Sequence, residues 1–147
     1  MKAKEFFPHW DRVRKELLVC LDKIPEKKLT WSPKTRMMSL GRLFCHIASA
    51  IDFWMTKVIK EGGEYKELTL KNCPAKERIR KELDRSYSRI LAYLDQPAKV
   101  LDKRHRYRKN GYFNGRWVMW HLLEHEIHHR AQIFSYMRMN GMAPPKI

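Results

Sequence analysis

Four stretches of this chain place apolar residues at alternating steps of four and three, the spacing that lays one apolar stripe along a 3.6-residue helix. Phe6, Trp10, Val13, Leu17, Cys20 and Ile24 make the first. The second follows Ser39, a good N-cap, through Leu40, Leu43, Ile47, Ala50, Trp54 and Val58 until Gly62 and Gly63 stop it. The third comes after Pro74, carries Ile79, Leu83, Tyr87, Ile90 and Leu94, and closes before Pro97. The fourth opens at Asn114 and runs to Asn140 and Gly141, and Pro144 and Pro145 bar any extension. A helix with one apolar stripe has to bury it, and four such helices do so against each other. The predicted fold is therefore all-α, a four-helix bundle. Its connections, around residues 25 to 38, 61 to 74 and 97 to 113, exceed the roughly 2 to 8 residues usual between bundle helices, so at least one crossover is expected. Only residues 97 to 113 leave room for a short extended piece.

With 147 residues, the chain reads as a single domain spanning 1–147, long enough for a full core. Hydrophobic residues at 44% and charged residues at 32% exclude collagen-like and disordered readings. No run approaches the ~18 apolar residues of a membrane span, and Met1 to Trp10 has no signal-peptide core, so a cytoplasmic location away from membranes is expected. Cys20, Cys45 and Cys73 contain no C-x-x-C pair and read as reduced thiols, the first two inside apolar helical stretches. Thirty-one Lys and Arg against sixteen Asp and Glu leave a formal +15, a field that attracts polyanions or anionic substrates. The cations are spread along the chain, with one denser run from Lys99 to Lys109 that holds Lys103, Arg104, Arg106 and Arg108. No recognised nucleic-acid motif accompanies them.

The chemistry concentrates in helix four. Four of seven histidines, His121, His125, His128 and His129, fall on this one segment. Extending its stripe through Val118, Leu122, His125, His129, Gln132 and Tyr136 puts two imidazoles where a bundle expects Leu or Ile. Buried imidazoles are costly unless each nitrogen finds a partner, and a metal ion is one such partner. Residues four apart lie one turn apart on one face, so His125 and His129 form a natural bidentate unit. On helix two, His46 shares a face with Leu43, Ala50 and Phe53 and is the best third ligand, the alternative being a core histidine bonded to a carbonyl. His125-Glu126-Ile127-His128-His129 also matches the H-E-x-x-H protease string. That reading is set aside, because such enzymes generally take a further ligand from downstream and residues 130 to 147 hold no His, Asp or Glu.

The string His125-Glu-x-x-His129-Arg130-x-Gln132, with Leu43-Phe-Cys-His46-Ile on helix two, Trp31-x-Pro33 and the Ser39-Leu40-Gly41 entry, resembles the DinB/YfiT-like superfamily of metal-binding four-helix bundles. Members commonly carry Gly where Ala131 stands. The resemblance implies a three-histidine site of His46, His125 and His129 holding a divalent ion such as Zn or Ni, an unusual helix connectivity and a homodimer. Surplus aromatics such as Trp10, Trp54 and Trp120 are consistent with a partner surface. Characterised relatives include thiol-dependent transferases and isomerases using bacillithiol or mycothiol, and metal-dependent hydrolases.

Three neutral imidazoles leave the ion its +2 charge and an open position. The leading expectation is a metal-dependent S-transferase that joins a low-molecular-weight thiol to a small electrophile, its catalytic nucleophile a metal-bound thiolate. The alternatives are a hydrolase using metal-bound hydroxide and a basic nucleic-acid-binding protein whose metal site is structural or vestigial. Glu126, His128 and Arg130 point away from the ion and are read as supporting, dimer-contact or solvent-exposed residues. Gln132 is read as lining the pocket, His121 as a rim residue, and Trp117 and Trp120 as core or dimer-interface residues.

Overall fold

A computed structural model describes residues 1–109 and 111–147. The four stripes form helices α1 (Trp10–Lys23), α2 (Leu40–Phe53), α3 (Lys76–Leu94) and α4 (Gly115–Met139). Phe6 stands outside α1, in a 3-10 turn over Ala3–Phe6. Pro8 separates the two, since proline biases the residue before it away from the helical region, and Phe7 sits at φ −132°, ψ 54°. Ser39 caps α2 by accepting a hydrogen bond from the Arg42 amide, and Asn114 caps α4 by accepting one from the Trp117 amide at 2.8 Å. Gly115 is required at the start of α4, where a Cβ would run into Tyr93 Oη and lie 2.9 Å from the Val100 carbonyl oxygen.

The core has two ends, and each helix contributes to both. Leu21 and Ile24 of and just after α1 meet Leu40 and Leu43 of α2, Ile79 and Leu83 of α3, and Ile133 and Met137 of α4. At the other end Trp10 and Val13 meet Ile51, Ile90, Leu94, Val118 and Leu122. The direction of each helix follows. α1 and α4 run one way and α2 and α3 the other, so the link between α2 and α3 must return the full length of the bundle. That link is the expected crossover. It lies back along α2, where the Leu68 amide donates to Ser49 Oγ at 2.8 Å and Arg42 donates to the Leu68 carbonyl and to Glu67, both at 2.6 Å. Asp52 fastens α2 to α3 by accepting from Arg85 and Arg89.

α4 packs against α1 on one side and α2 on the other. Its buried residues accordingly cover a broad arc, with Met119, Leu123, Glu126, Arg130 and Phe134 beside the expected stripe. The extended piece allowed between 97 and 113 is a two-stranded antiparallel hairpin, β1 (Arg104–Arg108) and β2 (Gly111–Asn114). Its register slips by one residue between Arg106 and Arg108. α2 continues past Phe53 into a π-helical turn over Trp54–Val58. No helix among the described residues is long and apolar enough to cross a membrane. All three cysteines are buried and unbridged.

Candidate metal centre

α2 and α4 run antiparallel in contact, which sets His46, one and a half turns into α2, opposite the middle of α4. Three imidazoles converge there. His125 Nε2 lies 3.0 Å from His46 Nε2 and 3.1 Å from His129 Nε2, and one donor atom from each residue falls within 4.8 Å of the others. His129 is buried, and His46 and His125 are half-buried, so the group opens on one side.

Burial keeps these rings neutral. It pushes His125 down to about 3, helped by the neighbouring His129, His46, His121 and His128, and His129 down to about 4. His46 is lowered by burial and by the Arg42 guanidinium one turn earlier. The Gln132 side-chain oxygen stands 2.5 Å from His129 Nδ1. An amide oxygen only accepts, so Nδ1 carries the proton and the Nε2 lone pair faces the other two rings.

This donor set fits a divalent ion. Two nitrogens each about 2.1 Å from one ion lie about 3.0 Å apart at a right angle and about 3.4 Å apart at the tetrahedral angle. The 3.0 and 3.1 Å from His125 to its two neighbours correspond to the first, and the three donor atoms lie within 4.8 Å of one another, so a small ring movement closes all of them onto one ion. His125 Nε2 either donates once or accepts once, so protons alone cannot fill both of its short contacts.

The other residues marked in the sequence fall into two groups. Gln132 touches the centre through His129. Glu126 and Arg130 face α1: Glu126, 1% exposed, accepts from Arg14 at 2.8 Å and from Trp10 Nε1 at 3.1 Å, and Arg130 pairs with Glu16. They are therefore held against α1 within the chain. His128 is exposed. His121 is half-buried, stacked on Trp117 with centroids 4.9 Å apart and an interplanar angle of 10°. Trp117 and Trp120, each 45% exposed, are not core residues, and Trp10, buried at 1%, offers nothing to a partner.

Sequence reasoning missed the partners of Glu126 and Arg130, which are Arg14 and Glu16 of α1. Arg14 is buried too, donating to the Leu83 carbonyl at 3.2 Å with its guanidinium 4.7 Å over the Tyr87 ring. A signal was present in Leu123, Phe134 and Met137, apolar residues off the α4 stripe that call for a second buried face.

A model of the DinB superfamily matches residues 9–133. The fold is similar to the crystal structure of a DinB-like protein from Bacillus cereus, with a TM-score of 0.83 at 19% identity over 99% of this chain and 97% of that one. It is similar as well to a DinB-like protein from Bacillus subtilis, with a TM-score of 0.72 at 20% identity over 95% of this chain and 94% of that one. No protein of curated function matches the chain.

Proposed function

Because the chain belongs to the DinB superfamily and gathers His46, His125 and His129 around one point, we propose that it is a divalent-metal-dependent enzyme that transfers a low-molecular-weight thiol to small electrophiles. The observation that carries the reading is the convergence of three neutral Nε2 atoms on an open side of the bundle. A divalent ion bound there supplies electrophilic activation of a small nucleophile near neutral pH, its charge undiminished by anionic ligands.

The chain's own residues do the rest. His46, His125 and His129 hold the ion through Nε2. Gln132 fixes the His129 ring and its tautomer, the usual service of a group bonded to the far nitrogen of a ligand. Asp52 and its two arginines tie the end of α2, the helix that carries His46, to α3. The surplus of fifteen positive charges favours an anionic, carboxylate-bearing thiol of the bacillithiol type over a neutral one of the mycothiol type.

The test begins with the metal content of the purified chain and of His46→Ala and His129→Ala. Stoichiometric metal in the parent and its loss in both variants is the expected result, and undiminished metal in both sinks the centre. The metal-loaded chain is then given small electrophiles with and without added thiol. Product that requires the thiol supports transfer, whereas turnover of ester or amide substrates without it moves the reading to hydrolysis.

A further inference from the structure

Between the π-helical turn that ends α2 and the β-hairpin lies a cleft of about 350 Å³, lined by Phe53, Trp54, Tyr107, Arg108 and Phe113. A ladder of rings connects it to the three histidines. Along α4 and the residue before its cap, His125 and His121 have centroids 6.3 Å apart, His121 and Trp117 4.9 Å, and Trp117 and Phe113 4.5 Å. Trp54 touches three of these rungs from the α2 side, at 4.8 Å from His121 and 5.3 Å from both Trp117 and Phe113.

Packing alone does not account for this cluster. Phe53, Trp54, Tyr107 and Phe113 are only half-buried, and Trp117 is 45% exposed, so their aromatic surface is left partly open to water around one concavity. Aromatic surface left exposed around a cleft marks a binding site more often than a defect in packing. Two backbone irregularities meet at the same place. The π-turn begins at Trp54, and the slip in strand register falls between Arg106 and Arg108, bringing Tyr107 and Arg108 to the same cleft although neighbours on a regular strand face opposite ways.

The charge at the cleft is one-sided. No acidic residue lines it. Among the described residues Arg108 makes no ion pair, and its guanidinium lies 5.2 Å over the Tyr107 ring. Arg14, Arg42, Arg85, Arg89 and Arg130 are all committed to carboxylates elsewhere.

We propose that this cleft binds a planar aromatic anion, its ring laid against the open surfaces of Trp54 and Tyr107, whose centroids stand 6.4 Å apart at 41°, and its negative group on Arg108, and that it is the far end of the substrate site. The second clause rests on the function proposed for the histidine centre. Trp54 stands eight positions after His46 along α2, a rise of about 12 Å, so the substrate spans about that distance between the recognised ring and the reacting atom.

The experiment uses the full chain, with and without Zn²⁺, and 2-naphthoate as the probe, followed by calorimetry. One naphthoate per chain is expected. Binding should weaken at least about tenfold for the neutral naphthalene-2-carboxamide and, for naphthoate itself, in Arg108→Gln, and it should weaken in Tyr107→Leu. Zinc content should be unchanged in both variants. Conversely, His46→Ala and His129→Ala should lose zinc and keep naphthoate, so that failure of the centre and failure of the cleft are separable. Naphthoate binding indifferent to both cleft variants, or absent from the folded parent chain, overturns the proposal. So does tighter binding of a single-stranded oligonucleotide than of naphthoate with a steep salt dependence, which would make the exposed Arg104 and Arg106 part of a nucleic-acid track.

Discussion

On the side of α4 that faces α1, Glu126 and Arg130 are each buried against an opposite charge, whereas on the side that faces α2, half-buried His125 and buried His129 stand against other neutral imidazoles. The first arrangement is electrically complete. The Leu83 carbonyl accepts from Arg14 and the Tyr87 ring offers it an aromatic face, and Trp10 adds a donor to Glu126, although among the described residues Glu126 Oε1 and the Nε atoms of Arg14 and Arg130 have no partner. The second sets neutral rings against one another and brings them no opposite charge from the chain. Both cost desolvation, so a polar cluster that the chain itself completes serves the fold, and one that it leaves short of a charge serves a ligand.

Breaking the complete side should have the largest effect. Glu126→Ala leaves the Arg14 guanidinium buried without its carboxylate, and a loss of about 3–5 kcal/mol in urea unfolding is expected. Pairing Arg14→Met with Glu126→Leu should restore most of it, since apolar groups of similar volume replace buried ion pairs at little cost. If Glu126→Ala unfolds at the parent's midpoint, the pair contributes nothing to the fold and the contrast between the two sides fails.

The incomplete side should respond in the opposite way. His129→Leu is expected to leave metal-free stability within about 1 kcal/mol of the parent, because one buried polar ring is exchanged for an apolar side chain. What it should abolish is stabilisation by metal. For the parent that amounts to about 2.7 kcal/mol when free metal stands at a hundredfold of Kd. Thermal melts with and without Zn²⁺ separate the two effects.

One step further out, Gln132→Leu keeps all three ligands and removes only the group that orients His129. A 10- to 100-fold loss of metal affinity is expected, about 1.4–2.7 kcal/mol, with stoichiometry unchanged at saturating metal. Competition against a chromogenic chelator measures it. Unchanged affinity would show that packing alone sets the ring.

The contrast also explains which parts of the molecule were legible in the sequence. Stripes and caps are local, so Ser39, Asn114 and the four helices were readable, as was the convergence of His46 with the i, i+4 pair on α4. Glu126 and Arg130 were readable as pointing away from the ion, but their α1 partners were not, because a single stripe assumes a helix with one buried face, and α4 has two. The π-turn at Trp54 and the register slip beside Tyr107 left no periodic trace, since each is an interruption of a period. The aromatic cleft they shape was invisible for that reason: Trp117 read as a core or dimer-interface residue, and the basic run from Lys99 to Lys109 pointed only toward polyanions.

His105 supplies the control for the histidine centre. It is a buried imidazole, 7% exposed, whose Nε2 has no hydrogen-bond partner and against which no second imidazole stands among the described residues. Lys60, Glu61, Tyr93 and Lys103 line the cavity it shares. Burial first, then the Lys103 and Lys60 charges, holds its pKa below the usual histidine value. In the pH interval between that depressed value and about 6.5 the unfolded chain takes up a proton that the folded chain refuses, so this contribution to stability is complete above about pH 6.5 and shrinks as pH falls below it. His105→Leu should therefore flatten the fall in urea midpoint between pH 7 and pH 5 by the equivalent of less than about one proton per chain, the smallest effect of the set. Metal binding should not change at all. A buried neutral imidazole alone produces acid sensitivity, and only the meeting of three produces a site, so a His105→Leu chain that loses metal would show that the centre draws on more of the molecule than α2 and α4.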